Sequence, residues 1–222
     1  MSIECRGVWK LYNDLMVIRD FSLKIDVGSC LAVVGPSGSG KTTLLRVLGL
    51  IDKPTRGDVF LDGEAVSSMV EKDLAELRWL KIGYSFQEPK LIPNLSVVEN
   101  VLLPFFPRYK WFEIVNVKKK VIELLDMLGL EGLYKRKTRD LSTGQKKRVD
   151  LARALIKDSP ILIADEPTVN LDRETARIVI EALKNNVEKG RTVIFSVTMD
   201  DELLKIANKM VKLEIGRHQI IK

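Results

Sequence analysis

The chain reads Gly35-Pro36-Ser37-Gly38-Ser39-Gly40-Lys41-Thr42-Thr43, and this stretch decides the fold. Residues 31–34, just before it, are apolar without polar alternation, as expected of a strand that is buried on both faces. Residues 43–48, just after it, continue with the spacing of a helix. A buried strand, a glycine-rich loop and a helix in this order predict an α/β protein with a mostly parallel sheet.

The loop in this stretch has the composition of a phosphate-binding loop (P-loop). It satisfies the pattern G-x-x-x-x-G-K-[ST], and its three glycines allow backbone N–H groups to turn inward around an anion. The N-terminus of the following helix adds a partial positive charge at the same point. Lys41 is placed to reach the outer phosphates of a nucleotide, and the Thr42 hydroxyl to bind Mg²⁺. All nine residues are therefore candidate nucleotide-binding residues.

Acidic residues follow a second buried strand. Residues 161–164 are Ile-Leu-Ile-Ala, and Asp165 and Glu166 come directly after them. The carboxyl ends of parallel strands are where open α/β sheets bind ligands. We expect Asp165 to hold Mg²⁺ through water and Glu166 to polarise the attacking water. By themselves these two residues also fit a solvated strand end.

A second anion-binding candidate is the segment 141–145, Leu-Ser-Thr-Gly-Gln. It stands at the head of a helix predicted from Gln145 to Ile156, and Ser142 is a good N-cap residue. A helix N-terminus binds an anion only if one reaches it. Capping of the helix is the alternative role of this segment.

The order of these motifs resembles the ATPase subunit of an ATP-binding-cassette (ABC) transporter over essentially the whole chain. The motifs are Tyr12, GPSGSGKTT, Gln87, LSTGQ, ILIADEPT and Asn170-Leu171-Asp172. Residues 86–101 and 165–172 are similar to the lipoprotein-release and macrolide-export type of ATPase, although the related cell-division ATPase has near-identical signatures.

The resemblance implies ATP and Mg²⁺ as cofactors and roles for further residues. Tyr12 is expected to stack on adenine, and Gln87 to sense Mg²⁺ and an integral membrane permease. Ser142, Gly144 and Gln145 are expected to cap the γ-phosphate of ATP held by a second subunit. A homodimer is the expected assembly, and a heterodimer is the alternative.

Two positions depart from the family pattern. Thr143 stands where glycine is usual, and Met199 stands in a Thr-Met-Asp run where the family has Thr-His-Asp. The usual histidine reaches the γ-phosphate, whereas methionine has no proton to donate. We therefore expect normal Mg·ATP binding but slow hydrolysis, with Glu166, Lys41 and Gln87 as the remaining catalytic candidates. The alternative is that another group, such as Thr198 or a water, replaces the histidine.

The predicted organisation is a single ABC ATPase domain over residues 1–222. Residues 1–89 and 141–222 form the core with an antiparallel β flank, in which residues 3–9 and 17–25 alternate like strands. Residues 90–140 form an inserted α-helical subdomain. In it, Ser96 and Glu99 have the spacing of a capping box, so a helix is predicted to begin there, and a long amphipathic helix is predicted from about Trp111 to Leu128. In that subdomain the apolar stretch 91–106 is expected to leave some side chains exposed as a groove for the permease.

Composition narrows the location and the partners. The net charge is +6, and the basic runs 118–120 and 146–148 fit solvated helix faces, so no direct nucleic-acid role is expected. No stretch approaches 18 uninterrupted apolar residues, and no signal-peptide pattern is present. Cys5 and Cys30 lack metal or redox spacing and are expected to be buried, reduced thiols. The expected location is cytoplasmic, peripheral on the inner face of the membrane.

The alternatives to a transporter ATPase are a cell-division-type switch and a hydrolysis-impaired subunit of a heterodimer.

Overall fold

Two sheets of different character form the framework of the protein. The computed structural model describes residues 1–13, 15–108, 111–198, 200–214 and 217–221. One sheet has four strands in the order β2-β1-β4-β5, and the other has six in the order β10-β9-β3-β8-β7-β6. The strands are β1 (Ile3–Tyr12), β2 (Leu15–Ile25), β3 (Cys30–Val34), β4 (Arg56–Leu61), β5 (Glu64–Ala65), β6 (Ile82–Ser85), β7 (Ile161–Ala164), β8 (Thr192–Val197), β9 (Lys209–Glu214) and β10 (Arg217–Ile221).

The six-stranded sheet is parallel from β9 to β6, and only β10 is added antiparallel at its edge. Its central strands β3, β7 and β8 are buried almost throughout, as their unbroken apolar sequences predict. The register pairs Val34 with Val197 and Ala164 with both Phe195 and Ser85. The carboxyl ends of β3, β6, β7 and β8 therefore lie at one edge, where the predicted site residues follow.

The four-stranded sheet is antiparallel and forms the predicted β flank. The hairpin between β4 and β5 turns at Asp62 and Gly63, both with positive φ (47° and 87°), which suits an Asp-Gly turn. The side chains of β3 alternate between two cores. Cys30 and Ala32 face a core shared with helices on one side, while Leu31 and Val33 face a core shared with the antiparallel sheet.

Seven helices surround these sheets in the described part of the chain. They are α1 (Lys41–Leu48), α2 (Glu71–Lys81), α3 (Val97–Leu102), α4 (Trp111–Met127), α5 (Thr143–Leu155), α6 (Arg173–Glu188) and α7 (Asp201–Leu204), with a 3-10 turn at Thr138–Asp140. The predicted long amphipathic helix is confirmed as α4, and α3 begins with the predicted capping box of Ser96 and Glu99. Helix α2 was not predicted, and Leu74 is the only one of its residues that is buried.

Helix α5 is fastened to β6 along its second half. A Cβ placed on Gly83 would lie 2.2 Å from the carbonyl oxygen of Ala154, so the helix backbone approaches the strand as only glycine allows. After the helix, the Lys157 ammonium donates to the carbonyl oxygens of Arg78, Trp79 and Ile82. The C-terminal end of α5 therefore packs on the parallel core. The predicted division of the chain at residue 141 stays a prediction.

The two cysteines are buried and free, as predicted. Burial raises the pKa of each thiol to about 12. Among the described residues, none of the helices combines the length and apolar character needed to cross a membrane.

Candidate active site

The P-loop connects β3 to α1 with a backbone that requires glycine. Gly38 and Gly40 have positive φ angles of 78° and 96°, and a Cβ on Gly35 would lie 2.4 Å from the carbonyl oxygen of Leu213. Pro36, Ser37 and Gly38 are exposed at the tip of the loop. The loop thus has the open, glycine-dependent shape that the sequence predicted.

Ser39 shows that this loop suits an anion. Its hydroxyl is buried and has no hydrogen-bond partner within the described residues, although such an atom is costly to bury unpaired. Space is open above Gly38, where a Cβ would meet nothing within 4 Å. An unpaired donor beside an open glycine loop and a helix N-terminus fits phosphate oxygens.

The Lys41 side chain is buried and faces oxygen atoms. Its ammonium donates to the carbonyl oxygens of Gly35 (2.8 Å) and Pro36 (3.1 Å) and to the hydroxyl of Thr198 (3.2 Å). It also forms an ion pair with Glu166 Oε1 at 3.1 Å, in which the lysine and glutamate side chains are only 4% and 12% exposed. Lys41 is therefore the counter-charge of Glu166, the predicted catalytic base.

Each carboxylate oxygen of Glu166 has a side-chain donor. Thr198 donates to Oε1 at 3.0 Å, and the Gln87 amide donates to Oε2 at 2.8 Å. The backbone of Glu166 has φ of 43°, in the left-handed region that is unfavourable for a residue with a side chain. The structure thus brings Lys41, Gln87, Glu166 and Thr198 together, from four separate parts of the chain.

Asp165 lies beside this group and is only 2% exposed. Burial raises the pKa of its carboxyl, while hydrogen bonds from Ser196 and Thr42 act in the opposite direction. The Ser196 hydroxyl donates to Asp165 Oδ1 at 2.5 Å. Thr42 and Asp165 thus place a hydroxyl and a carboxylate side by side, which are oxygen ligands of the kind that Mg²⁺ prefers.

Tyr12, the predicted adenine contact, ends β1 with its side chain partly exposed. Its phenol donates to Asp52 Oδ2 at 2.6 Å, and the Thr43 side chain is its other hydrogen-bonding neighbour. Arg46 holds the same Asp52 carboxylate at 2.8 Å. The ring is therefore tethered to the first two turns of α1, close to the P-loop. Asp52 and Arg46 were not among the predicted site residues.

The segment Ser142–Gln145 forms a capping box at the head of α5. Gln145 N–H donates to the Ser142 hydroxyl (3.3 Å), and Ser142 N–H donates to the Gln145 side chain (3.0 Å). A Cβ on Gly144 would lie 3.3 Å from Leu171, so this end of α5 touches the loop that follows the acidic residues. The predicted N-cap is confirmed. In the described ranges no hydrogen bond joins this segment to the P-loop.

The interpretation of residues 146–148 as a solvated face is wrong at Arg148, which donates to the carbonyl oxygens of Leu128 and Gly129 at 2.9 Å, and at Lys147. That side chain is 7% exposed, and its ammonium donates to the carbonyl oxygens of Glu166 (3.1 Å) and Val169 (2.7 Å). Burial lowers the pKa of Lys147, and the charge of Glu166 opposes this. The reason is tertiary packing, since this side of α5 faces the loop after β7. The run 118–120 is exposed, as predicted.

Met199 lies outside the described residues, so its predicted effect stays a prediction. The flanking residues are described. Thr198 occupies the site itself, and Asp200 accepts a hydrogen bond from Thr168 at 2.7 Å. Ser196, which contacts both acidic residues, was missed.

Comparisons with known proteins identify the family of this chain. Residues 18–169 match the family described as ABC transporter. The lipoprotein-releasing system ATP-binding protein LolD of Bacteroides fragilis is 36% identical over 217 residues, which cover 96% of this chain and 98% of LolD. The macrolide export ATP-binding/permease protein MacB of Bdellovibrio bacteriovorus is 37% identical over 218 residues, which cover 96% of this chain and 33% of MacB.

A solved structure matches over almost the whole of both chains. The ATP-binding cassette MJ0796 of Methanocaldococcus jannaschii, in a dimeric post-hydrolysis state bound to ADP and Pi, gives a TM-score of 0.89 at 33% identity and 99% coverage of both chains. The predicted fold and the predicted likeness to lipoprotein-release and macrolide-export ATPases are confirmed. This chain belongs to the ABC transporter family and is one of its ATPase cassettes.

Proposed function

We propose that this chain hydrolyses Mg·ATP to power a transporter, as one of two cassettes that dimerise head to tail on a separate membrane permease. The observation that carries the enzymatic part is the buried ion pair of Lys41 and Glu166. It joins the group that would bind phosphate to the group that would activate water. Both roles are supported by their positions at the carboxyl ends of β3 and β7.

The ion pair with Lys41 keeps Glu166 from acting as a base until a nucleotide binds. Phosphate oxygens that enter the P-loop compete with Glu166 for the Lys41 ammonium. When Lys41 turns to the phosphates, Glu166 loses its counter-charge and becomes free to accept a proton from water. Gln87 and Thr198 still hold the carboxylate in place. The ion pair thus keeps the base occupied until substrate arrives.

Residues suited to Mg²⁺ lie next to this pair. Thr42 and Asp165 would hold the ion, with Gln87 nearby through its bond to Glu166. Bound there, Mg²⁺ would neutralise charge that develops on the phosphates. Asp165 would be a carboxylate in that state because the ion adds to the hydrogen bonds that already favour its charged form.

The second cassette is proposed from the head of α5. Ser142 and Thr143 are exposed, and the described part of this segment makes no hydrogen bond to its own P-loop. A helix N-terminus open to solvent is suited to an anion from another chain. The dimer of MJ0796 bound to ADP and Pi supports this arrangement. A homodimer needs only this chain, and a heterodimer remains the alternative.

The permease and the location are proposed from the relatives and from the surface. LolD belongs to a lipoprotein-releasing system, and MacB is named as an ATP-binding/permease protein. In the predicted permease-facing stretch, Ile92 and Phe106 are 45% and 41% exposed, whereas Leu102 and Phe105 are buried. We place the chain on the cytoplasmic face of the membrane. A cell-division-type switch would use the same dimer. A permease that copurifies with this chain and transports a substrate would favour the transporter over the switch.

The variant Glu166→Gln tests the proposal. It keeps the size of the side chain but removes the base and the counter-charge of Lys41. We expect phosphate release to fall by about 10²-fold or more, while Mg·ATP still binds and a dimer accumulates in light scattering. Glu188→Gln, at the exposed end of α6, is the matched control and should behave as wild type. Undiminished hydrolysis by Glu166→Gln would refute the assignment of the base, and failure of the wild type to bind Mg·ATP would refute the function.

A further inference from the structure

Ser196 is a buried hydroxyl placed between the two acidic residues of the site. It is fully buried on β8, where the neighbouring side chains of Phe195 and Val197 are also buried. Its hydroxyl donates to Asp165 Oδ1 at 2.5 Å and accepts from the backbone N–H of Glu166 at 2.9 Å. One side chain therefore satisfies one polar atom of each residue.

The contact with Glu166 replaces a missing strand partner. Strand β7 ends at Ala164, and the amide of Asp165 is satisfied by the carbonyl oxygen of Ser85 on β6. The next amide, that of Glu166, points toward β8 and donates to a side chain there, and the backbone of Glu166 is in the left-handed region. Such a conformation persists only where surrounding contacts hold it. The Ser196 hydroxyl is the hydrogen-bond partner that holds this amide.

The contact with Asp165 fixes the rotation of the carboxylate. A hydroxyl that donates to Oδ1 determines which oxygen faces Thr42 and an incoming metal ion. Groups that orient metal ligands in this way change metal affinity when they are removed.

We propose that Ser196 is a positioning residue that presents Asp165 to Mg²⁺ and holds Glu166 in its working conformation. The inference rests on the proposed function. Ser196 acts through these two residues and does not need to touch the nucleotide. If it only filled space in the core, an alanine would change stability but not the response to Mg²⁺.

The test compares Ser196→Ala with Ser196→Thr, which retains a hydroxyl, and with Ser159→Ala. The control removes another buried serine hydroxyl, one that has no hydrogen-bond partner among the residues that the structure describes. Equilibrium binding of ATP is measured without Mg²⁺ and across a Mg²⁺ titration, together with kcat and KM. Ser196→Cys, which keeps the size of the side chain and only a weak donor, replaces alanine if that variant does not fold.

For Ser196→Ala we expect the Mg²⁺ concentration at half-maximal effect to rise about tenfold and kcat to fall about tenfold or more. ATP binding without Mg²⁺ and the KM for ATP should stay close to wild type. Ser196→Thr should restore both quantities, and Ser159→Ala should match wild type. An unchanged Mg²⁺ titration in Ser196→Ala, or equal losses with and without Mg²⁺, would overturn the inference. A wild-type chain that binds no Mg·ATP would instead refute the proposed function.

Discussion

Removal of the Asp150 carboxylate should destabilise the protein strongly and loosen the segment that carries Gln87. Asp150 is fully buried in α5. Its carboxylate accepts from the Ser85 hydroxyl (3.0 Å), the Phe86 N–H (2.7 Å) and Arg153. Arg153 also donates to the carbonyl oxygen of Lys90. This pair on one helix therefore holds both ends of the segment 86–90.

The expected magnitude follows from what each variant leaves unpaired. Asp150→Ala leaves the Arg153 guanidinium, which is 14% exposed, without its counter-charge, and also leaves two neutral donors unpaired. Loss of one partner of a buried ion pair costs about 3–5 kcal/mol. Asp150→Asn keeps the volume and an acceptor for Phe86, so a loss of about 1–3 kcal/mol is expected. The double variant Asp150→Leu/Arg153→Met removes both charges and should lose less than Asp150→Ala.

Urea unfolding followed by tryptophan fluorescence measures these differences. Arg173→Ala is the control, because Arg173 pairs with Glu202 at 3.6 Å on the surface and should contribute less than about 1 kcal/mol. In a folded Asp150→Asn protein we also expect faster hydrogen exchange at the Phe86 and Gln87 amides. A loss below about 1 kcal/mol for Asp150→Ala would refute the reasoning, because it would show that the carboxylate is not needed by its three donors.

Two further predictions concern the γ-phosphate and a buried lysine. Met199→His should raise the rate of single-turnover hydrolysis at least about tenfold with little change in nucleotide affinity. The reason is that a donor to the transition-state charge is worth about 10²–10³ in rate. Equal rates would indicate that Thr198 or a water already donates to the γ-phosphate. Burial lowers the pKa of Lys157 from 10.5 to about 8. Between about pH 8 and pH 10.5, Lys157 keeps its proton in the unfolded chain but has lost it in the folded chain. The free energy of unfolding of wild type, relative to that of Lys157→Met, should therefore rise as the pH rises. Urea midpoints of both proteins at pH 7 and pH 9.5 measure the difference, and a constant difference would contradict the shift.

The sequence predicted those parts of the fold that local pattern determines. Unbroken apolar runs predicted β3 and β7, and the spacing of Ser96 and Glu99 predicted the start of α3. Helix α2 was missed because Leu74 is its one buried residue, and such a helix has little hydrophobic periodicity.

The site was predicted where a motif is contiguous and missed where distant strands supply it. Ser196 and Thr198 alternate along β8 and its end, so both hydroxyls face the same side, but only the register of β8 against β7 places that side beside Asp165 and Glu166. Burial of Lys147 likewise depends on how α5 packs. Charge and spacing along the chain do not contain this information.

Helix α5 is attached to β6 at its C-terminal end, so any tilt of the helix displaces its N-terminal end most. Its 13 residues span about 20 Å at 1.5 Å per residue. The end near Gly83 is anchored, whereas Ser142 stands at the far end and faces solvent. A tilt of about 10° about the anchor would displace Ser142 by about 3 Å, the length of one hydrogen bond, and the loop held by Lys147 would have to move with the helix. A small angular change at the sheet is therefore enough to bring this end into, or out of, reach of a phosphate on a facing chain.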